Sequence, residues 1–457
     1  MMAGYDLTPK KVKTIKTKYR TIRTQIPVPE SIPIFEDLAK SEPRSMMGQP
    51  PVVWHKADDI CVFDKWGNRW LDWSSGVLIT NAGHNRAEIK KAIRDIVTQG
   101  LTASYVFVHE QRMVLTGLLQ SIAPDPENYS VFLLSTGSEA TENTIKLAKT
   151  YAIDKHGRSK KYIISFDNAF HGRTMGAQLA GGMQHLKKWL VDTDKTFVQV
   201  PFPDGYKNTN TSFDLFLETL KKKKIKPESI AGIISESYQG VGPDFFPVGY
   251  AKKLRSFANK YDIVLIMDEV QSGFGRTGKN FCYEHYGIKP DLIACGKGIS
   301  SSLPLSAVMG RKDIMDLYPP GSMTSTHSGS AIPVAAAIAN LKLLLQEDLA
   351  ENAAEMGKIL LLELKRIQKK YPKVLGCMHG KGLVAGIQVV RPGTKTPDPV
   401  TAQKINVACM EKGLLMFAPV GIGGECLKIA PPLTITEEPL RESIQVFEEA
   451  VDEVLTR

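Results

Sequence analysis

The sequence has no run of eighteen or more uncharged apolar residues, so no membrane-spanning helix is expected. Its opening, "MMAGYDLTPKKVK", lacks an apolar core next to a small-residue cleavage site and does not read as a secretion signal. Cysteine is scarce. The six present (Cys61, Cys282, Cys295, Cys377, Cys409 and Cys426) are scattered without a CxxC pair. That argues against a zinc site or a disulfide framework and leads us to expect reduced thiols in the cytoplasm. There is neither an internal repeat nor a long low-complexity linker. Acid is missing from one place in particular: residues 10–23, "KKVKTIKTKYRTIR", hold seven Lys or Arg and no Asp or Glu. Removing those seven from the net charge of +10 leaves about +3 for the rest, so the basic character is local and does not describe a nucleic-acid-binding surface. Residues 1–30 are therefore expected to form a basic arm, either meeting an anionic partner or simply solvated.

What remains is an ordinary globular composition, 43% hydrophobic and 23% charged, in a chain of 457 residues that is long enough for two or three lobes. Residues 52–73 alternate apolar and polar positions around "DKWGN", as in a β-hairpin or meander. From about residue 84, helices (Arg86 to Gln99, Glu139 to Lys155) alternate with short apolar strands: "KYIISF", "SIAGIISES", "IVLIMDEV" and "PDLIACG". This is the pattern of an α/β domain whose mainly parallel sheet is covered on both faces. From Val334 one long helix is expected, leading into a smaller mixed domain. The expected segments are an arm (1–30), an N-terminal piece of the small domain (31–83), a large domain (84–335) and a C-terminal small domain (336–457).

Three stretches carry chemistry. "LLSTGSEATENTIKLAKTYA" joins a strand to a helix through Gly137 and Ser138, which place bare backbone N–H groups at the helix N-terminus, where an anion such as phosphate is favoured. Glu139, three positions after Thr136, also fits a capping box, and a plain cap explains the turn equally. "IVLIMDEVQSGFGRTG" ends an apolar strand on Asp268, at the edge of a parallel sheet that faces ligands. A carboxylate there needs a cationic partner, such as a protonated pyridine nitrogen, or else caps the next turn. "DLIACGKGISSSLP" ends the next strand on Lys297. A strand-end lysine is ordinarily solvated, whereas a desolvated one has a lowered pKa suited to Schiff-base formation and proton transfer. A phosphate-type turn, a strand-end Asp and a strand-end Lys on one α/β domain together fit pyridoxal phosphate.

The same residues carry a family resemblance. "WLDWSSGVLITNAGH", "STGSEATENTIKLAK", "AFHGRTMGA", "MDEVQSGFGRTGKNF", "PDLIACGKGISSSLPLSAVMG" and "KIAPPLTIT" occur in family order across nearly the whole chain. It resembles a class III aminotransferase of the fold type I pyridoxal-phosphate enzymes, near the 4-aminobutyrate aminotransferase branch. The resemblance implies a large domain with a mainly parallel seven-stranded sheet and a small α+β domain drawn from both termini. It makes Lys297 the amine that joins the cofactor and then carries the proton between substrate and cofactor. Asp268 becomes the partner of the ring nitrogen, Val270 and Phe170 pack on the two ring faces, and Gln271 lies near the ring hydroxyl. Gly137 and Ser138 would hold the phosphate, with His171 and Glu236 also at the cofactor. Thr326, in "TSTHSGS", would reach the phosphate of a neighbouring subunit, which requires a homodimer. Val77, Arg173, Val241 and Lys428 are the positions implied to face substrate. The implied reaction moves an amino group from an amine or amino acid to a 2-oxo acid. An amino-acid racemase is the alternative on the same fold.

Three departures bear on the substrate. The family's "EPxQGE" reads "ESYQGVGP" here, with Val241 at the second glutamate, and the arginine of "RxxPPL" is replaced by Lys428 in "CLKIAPPL". Lysine neutralises a carboxylate as a point charge rather than as a bidentate fork. The pair of changes fits an open carboxylate site, a bulkier apolar substrate beside Val241, or a Lys428 that points to solvent. Arg173, in "FHGRT", matches the arginine that binds the distal carboxylate of 4-aminobutyrate. The third departure is the serine run 300–302, where the family usually has glycines; it adds hydroxyls and stiffness near the cofactor.

Overall fold

A computed structural model describes residues 4–456. The chain divides into two compact units, one made of the described residues up to Arg86 together with those from Asn352, the other spanning Ala87–Glu351. The second unit is built on seven strands: β1 (Tyr129–Leu134), β2 (Tyr162–Phe166), β3 (Phe197–Val200), β4 (Ile230–Glu236), β5 (Val264–Asp268), β6 (Leu292–Cys295) and β7 (Ser306–Arg311). Their order across the sheet is β1-β7-β6-β5-β4-β2-β3. Every adjacent pair is parallel except the two made by β7, which runs antiparallel to both β6 and β1. The expected α/β architecture with a mainly parallel seven-stranded sheet is therefore present.

The strands read as unbroken apolar runs because helices cover them. All seven residues of β4 and all five of β5 are buried. Helix α1 (Gly137–His156) lies on the sheet through Ala140, Ala148 and Ala152, each without measurable exposure. The fit is close: a Cβ on Gly232 of β4 would sit 3.1 Å from the Cβ of Ala148. The start of α1 is set by the expected capping box. Thr136 Oγ1 accepts from the Glu139 N–H at 3.3 Å, and Glu139 Oε2 accepts from the Thr136 N–H at 3.1 Å.

The single long helix expected from Val334 is two, Ala331–Gln346 and Leu349–Lys370, separated at Asp348, whose φ is +50°. The division between units falls at 351/352 and not at 335/336. The helix Ala331–Gln346 packs on Ala87–Gln99 and Glu110–Ser121 and so stays with the large sheet's unit. The basic segment also differs from expectation. Ile15–Lys16 pairs with Thr21–Ile22, Thr21 pairs with Arg69, and Ile22 and Ile26 are buried against Val62 and Trp70. Lys18 and Arg20 meet Glu438 and Glu442 at 2.5 and 2.7 Å. The segment is thus part of the first unit's sheet, not a free arm. In that unit Lys56–Asp58, Cys61–Phe63 and Arg69–Asp72 form the expected antiparallel meander, and Leu375–Lys381, Val384–Val389 and Cys426–Ile429 form a second antiparallel sheet.

Candidate active site

The C-terminal ends of β1, β2, β4, β5 and β6 meet at one edge of the sheet, where open α/β folds place their ligands. A cavity of about 240 Å³ opens there. It is lined by Thr136, Gly137 and Ser138 after β1, Phe170, His171 and Gly172 after β2, Glu236 and Tyr238 from β4 onward, Asp268, Val270 and Gln271 after β5, and Lys297 after β6. Sequence elements separated by more than a hundred residues are gathered because each supplies the turn leaving its strand.

Asp268 is 5% exposed. Its Oδ2 accepts from His171 Nδ1 at 2.8 Å and its Oδ1 from the Val270 N–H at 3.0 Å. With the proton on Nδ1, the buried Nε2 of His171 has no hydrogen-bond partner. Glu236 accepts from the backbone N–H groups of Phe170 at 2.9 Å and Gly240 at 2.8 Å. Burial pushes its carboxyl up to about 7, against the pull of His171 and those two N–H donors. Lys297 is half-buried at the cavity wall. Desolvation of its amine pushes the pKa below the ordinary lysine range, opposed by the carboxylates of Asp268 and Glu236. Its φ of +43° is left-handed, a conformation that costs a non-glycine residue on the order of 1–3 kcal/mol and concentrates at functional sites.

The residues present fit pyridoxal phosphate. At the N-terminus of α1 the chain comes in bare: a Cβ on Gly137 would lie 2.7 Å from Val270 Cγ1, so no side chain can stand between the turn and the cavity wall. Gly172, at φ +132°, is needed in the same way, because a Cβ there would fall 2.4 Å from Ser138 Oγ. An anion cradle, a buried carboxylate oriented by a histidine, an aromatic ring and a desolvated amine thus face one cavity.

A family model described as "Aminotransferase class-III" matches residues 44–451. The chain belongs to the class III aminotransferase family. It is 30% identical over 440 residues to a 4-aminobutyrate aminotransferase of Mycobacterium leprae, covering 94% of this chain and 97% of that protein. It is also 30% identical over 406 residues to an alanine/serine racemase of Pyrococcus horikoshii, covering 85% and 83%. Among solved structures it superposes on an amine transaminase from an uncultivated Pseudomonas species in its PLP-bound form, with a TM-score of 0.81 and 28% identity over 89% of this chain and 95% of that one. The protein is an aminotransferase that uses pyridoxal 5'-phosphate.

The cavity of this aminotransferase gathers Gly137, Ser138, Phe170, His171, Glu236, Asp268, Val270, Gln271 and Lys297. Arg173, Val241 and Thr326 do not line it. The Arg173 guanidinium lies over the Phe170 ring, 5.6 Å from its centroid, and is exposed. Thr326 is exposed as well. Val77 and Lys428 belong to the other unit. There Val77 is 40% exposed and sits in a run of four left-handed residues, Ser75 to Leu78. Lys428 is 2% exposed, which removes the reading that it points to solvent. Thr136, Gly172 and Tyr238 line the cavity without having been singled out as site residues. Thr136 and Gly172 were legible as the residues flanking the phosphate turn and "FH"; Tyr238 occupies the free position of "ESYQG" and carried no signal. The serines at 300 and 302 bond within their own turn. Ser302 N–H donates to Ser300 Oγ at 3.2 Å, Ser302 Oγ donates to Ser300 O at 3.1 Å, and Ser300 Oγ donates to Leu303 O. These two hydroxyls close a turn on itself and do not address the cavity.

Proposed function

We propose that Lys297 is the amine of this aminotransferase and that its amino donor is an ω-amino acid of the 4-aminobutyrate type, delivered to a 2-oxo acid in a ping-pong cycle. The observation that carries this reading is the half-buried, desolvated Lys297 on the same cavity as Asp268 and the N-terminus of α1. The bound cofactor supplies an aldehyde and an electron-poor ring that stabilises negative charge at the substrate carbon. The chain's own groups do the rest. The Gly137 and Ser138 donors would hold the phosphate, Phe170 and Val270 would confine the ring, and Gln271 would serve its hydroxyl. Asp268, oriented by His171, keeps the ring nitrogen protonated, and Glu236 supports the wall behind it. Lys297, whose amine is desolvated, would take the proton from the substrate's reacting carbon and hold it for return within the site. Arg173 takes the distal carboxylate in this reading.

The enzyme acts in this reading as a cytoplasmic homodimer in which Thr326 completes the partner's phosphate site. None of the six cysteines is joined in a disulfide among the described residues, as a reducing compartment would have it. Tyr105, Phe107, Val108 and Met113 are exposed apolar residues, and Tyr105 Oη is hydrogen-bonded to Thr324 Oγ1 at 3.0 Å, so the apolar patch is continuous with the segment that bears Thr326.

Racemisation is the second reading, motivated by the similarity to a racemase and by Val241 in place of the switching glutamate. To separate the two, the holoenzyme is incubated with single amino acids and no oxo acid. Stoichiometric bleaching of the cofactor's aldehyde absorbance is expected; catalytic inversion of substrate without an acceptor would replace the transaminase reading. Lys297→Ala is expected to lower turnover by at least about 10²–10⁴-fold, and wild-type turnover in that variant rejects the role given to Lys297.

A further inference from the structure

Helix Ala331–Gln346 is apolar on every side that meets the protein, with one exception. Asn340 is wholly buried among Ala336, Ala337, Leu341 and Leu344. A polar amide there is costly unless it is hydrogen-bonded, and asparagine is also a poor helix former. Both of its N–H groups are used on one target. Nδ2 donates to Gly298 O at 2.8 Å and to Ile299 O at 2.9 Å, the two carbonyls that follow Lys297. The amide's orientation is fixed by these bonds, since the reverse would set Oδ1 against two carbonyl oxygens.

The turn so held has little preference of its own. Lys297 lies between Gly296 and Gly298, and glycine leaves the backbone free to take many conformations. Lys297 nevertheless adopts φ +43°, and Ser301, four residues on, φ +52°. Two left-handed non-glycine residues in one short turn persist only where the surroundings over-determine them. The surroundings here are the Asn340 amide on one side and the self-closed serine turn on the other.

We propose that Asn340 is a positioning residue: by pinning the Gly298 and Ile299 carbonyls, and with Ser300 and Ser302 stiffening the next turn, it holds Lys297 in the left-handed conformation that directs its amine into the cavity. Released from this pin, the glycine-flanked turn relaxes and the amine leaves its desolvated place. The inference rests on Lys297 being the cofactor's amine. Borohydride reduction of the wild-type holoenzyme, followed by peptide mapping, settles that separately: a reduced adduct on another lysine overturns the amine assignment, whatever Asn340 does.

The test compares Asn340→Leu, of similar volume with no donor, and Asn340→Ser, which keeps one donor, with the wild type. In the holoenzymes kcat is expected to fall on the order of 10- to 100-fold for Asn340→Leu and less for Asn340→Ser, with KM for the amino donor within about threefold of wild type. In the apo-proteins the rate of acylation at Lys297 is followed against pH by peptide mass spectrometry. The midpoint is expected to rise toward the ordinary lysine range, a change that loss of stability alone does not produce. Folded variants with wild-type kcat and an unmoved labelling midpoint overturn the proposal. If Asn340→Leu fails to fold, Asn340→Ser is read by the same two criteria.

Discussion

The carboxyls beside Lys297 live under unequal constraints. Glu236 is buried and its pKa is pushed up to about 7, the two backbone N–H donors compensating only part of its desolvation. A carboxyl raised in the folded state binds more protons folded than unfolded, so its contribution to stability is complete below the unfolded value of 4.5 and declines as pH rises through about 7. The Glu269 carboxyl, which receives Ser237, Ser272 and the Cys282 and Tyr283 N–H groups, is likewise raised to about 7 by burial and adds to the same decline. Replacing Glu236 by Gln removes one of the two titrations. The apo-protein's loss of stability between pH 5 and pH 8 is therefore expected to shrink, by an amount of up to about 3 kcal/mol, in denaturant titrations at the two pH values. A variant whose pH dependence matches the wild type would contradict the assignment of that titration to Glu236. Catalysis adds a second sign: an ionised Glu236 favours protonated Lys297, so Glu236→Gln is expected to move the acid limb of kcat to lower pH.

At the scale of elements, the joint between β1 and α1 does two things in six residues: it starts a helix and exposes an anion cradle. Gly137→Ala puts a methyl carbon 2.7 Å from Val270 Cγ1, and Val270 must move. We expect pyridoxal phosphate to bind at least about tenfold more weakly while far-ultraviolet circular dichroism stays unchanged, as measured by titrating cofactor into apo-protein. Thr136→Ala instead removes the cap and is expected to destabilise the fold by about 1 kcal/mol in urea unfolding. This joint, β4, β5 and β6 were legible in the sequence because their signals are local: an N-cap spacing, a run of apolar residues, a polar residue where the run ends. Asn340 was not legible. Within its helix it interrupts an apolar pattern and nothing nearby in sequence says what its amide binds. The basic segment was misread for the same reason, since the acids that neutralise Lys18 and Arg20 lie at Glu438 and Glu442, at the other end of the chain. The helix break at Asp348 was hidden because "LLLQEDLAENAAEM" keeps helical periodicity through it.

For the whole molecule, the apolar stretch around Phe107, 77% exposed, and Val108, 88% exposed, is a large surface to leave in water. In the proposed homodimer, Phe107→Glu is expected to give monomers in sedimentation velocity at micromolar protein and to weaken cofactor binding along with activity, since Thr326 would then have no partner site to complete. A dimer of unchanged mass would remove this surface from the interface. Family order and the strand-end residues made the fold and the cofactor readable, whereas the strand partners within each unit were not, since pairing leaves no mark on local composition. The position of β7 has a consequence for how the molecule is made. Its strand, Ser306–Arg311, is inserted between β6 and β1, pairing Ser306 with Leu134 and Arg311 with Tyr129. On a ribosome that adds about 5–20 residues per second, β1 emerges on the order of ten seconds or more before the strand that covers its edge. During that interval "YSVFLL" is an open apolar edge in a nascent chain, the kind that invites pairing with a second chain. The first unit waits longer still, as its N-terminal meander cannot receive Leu414–Leu415 until nearly the whole chain has been made. Synthesis therefore leaves β1 without a neighbour for an interval that ends only when Ser306–Arg311 joins it to the rest of the sheet.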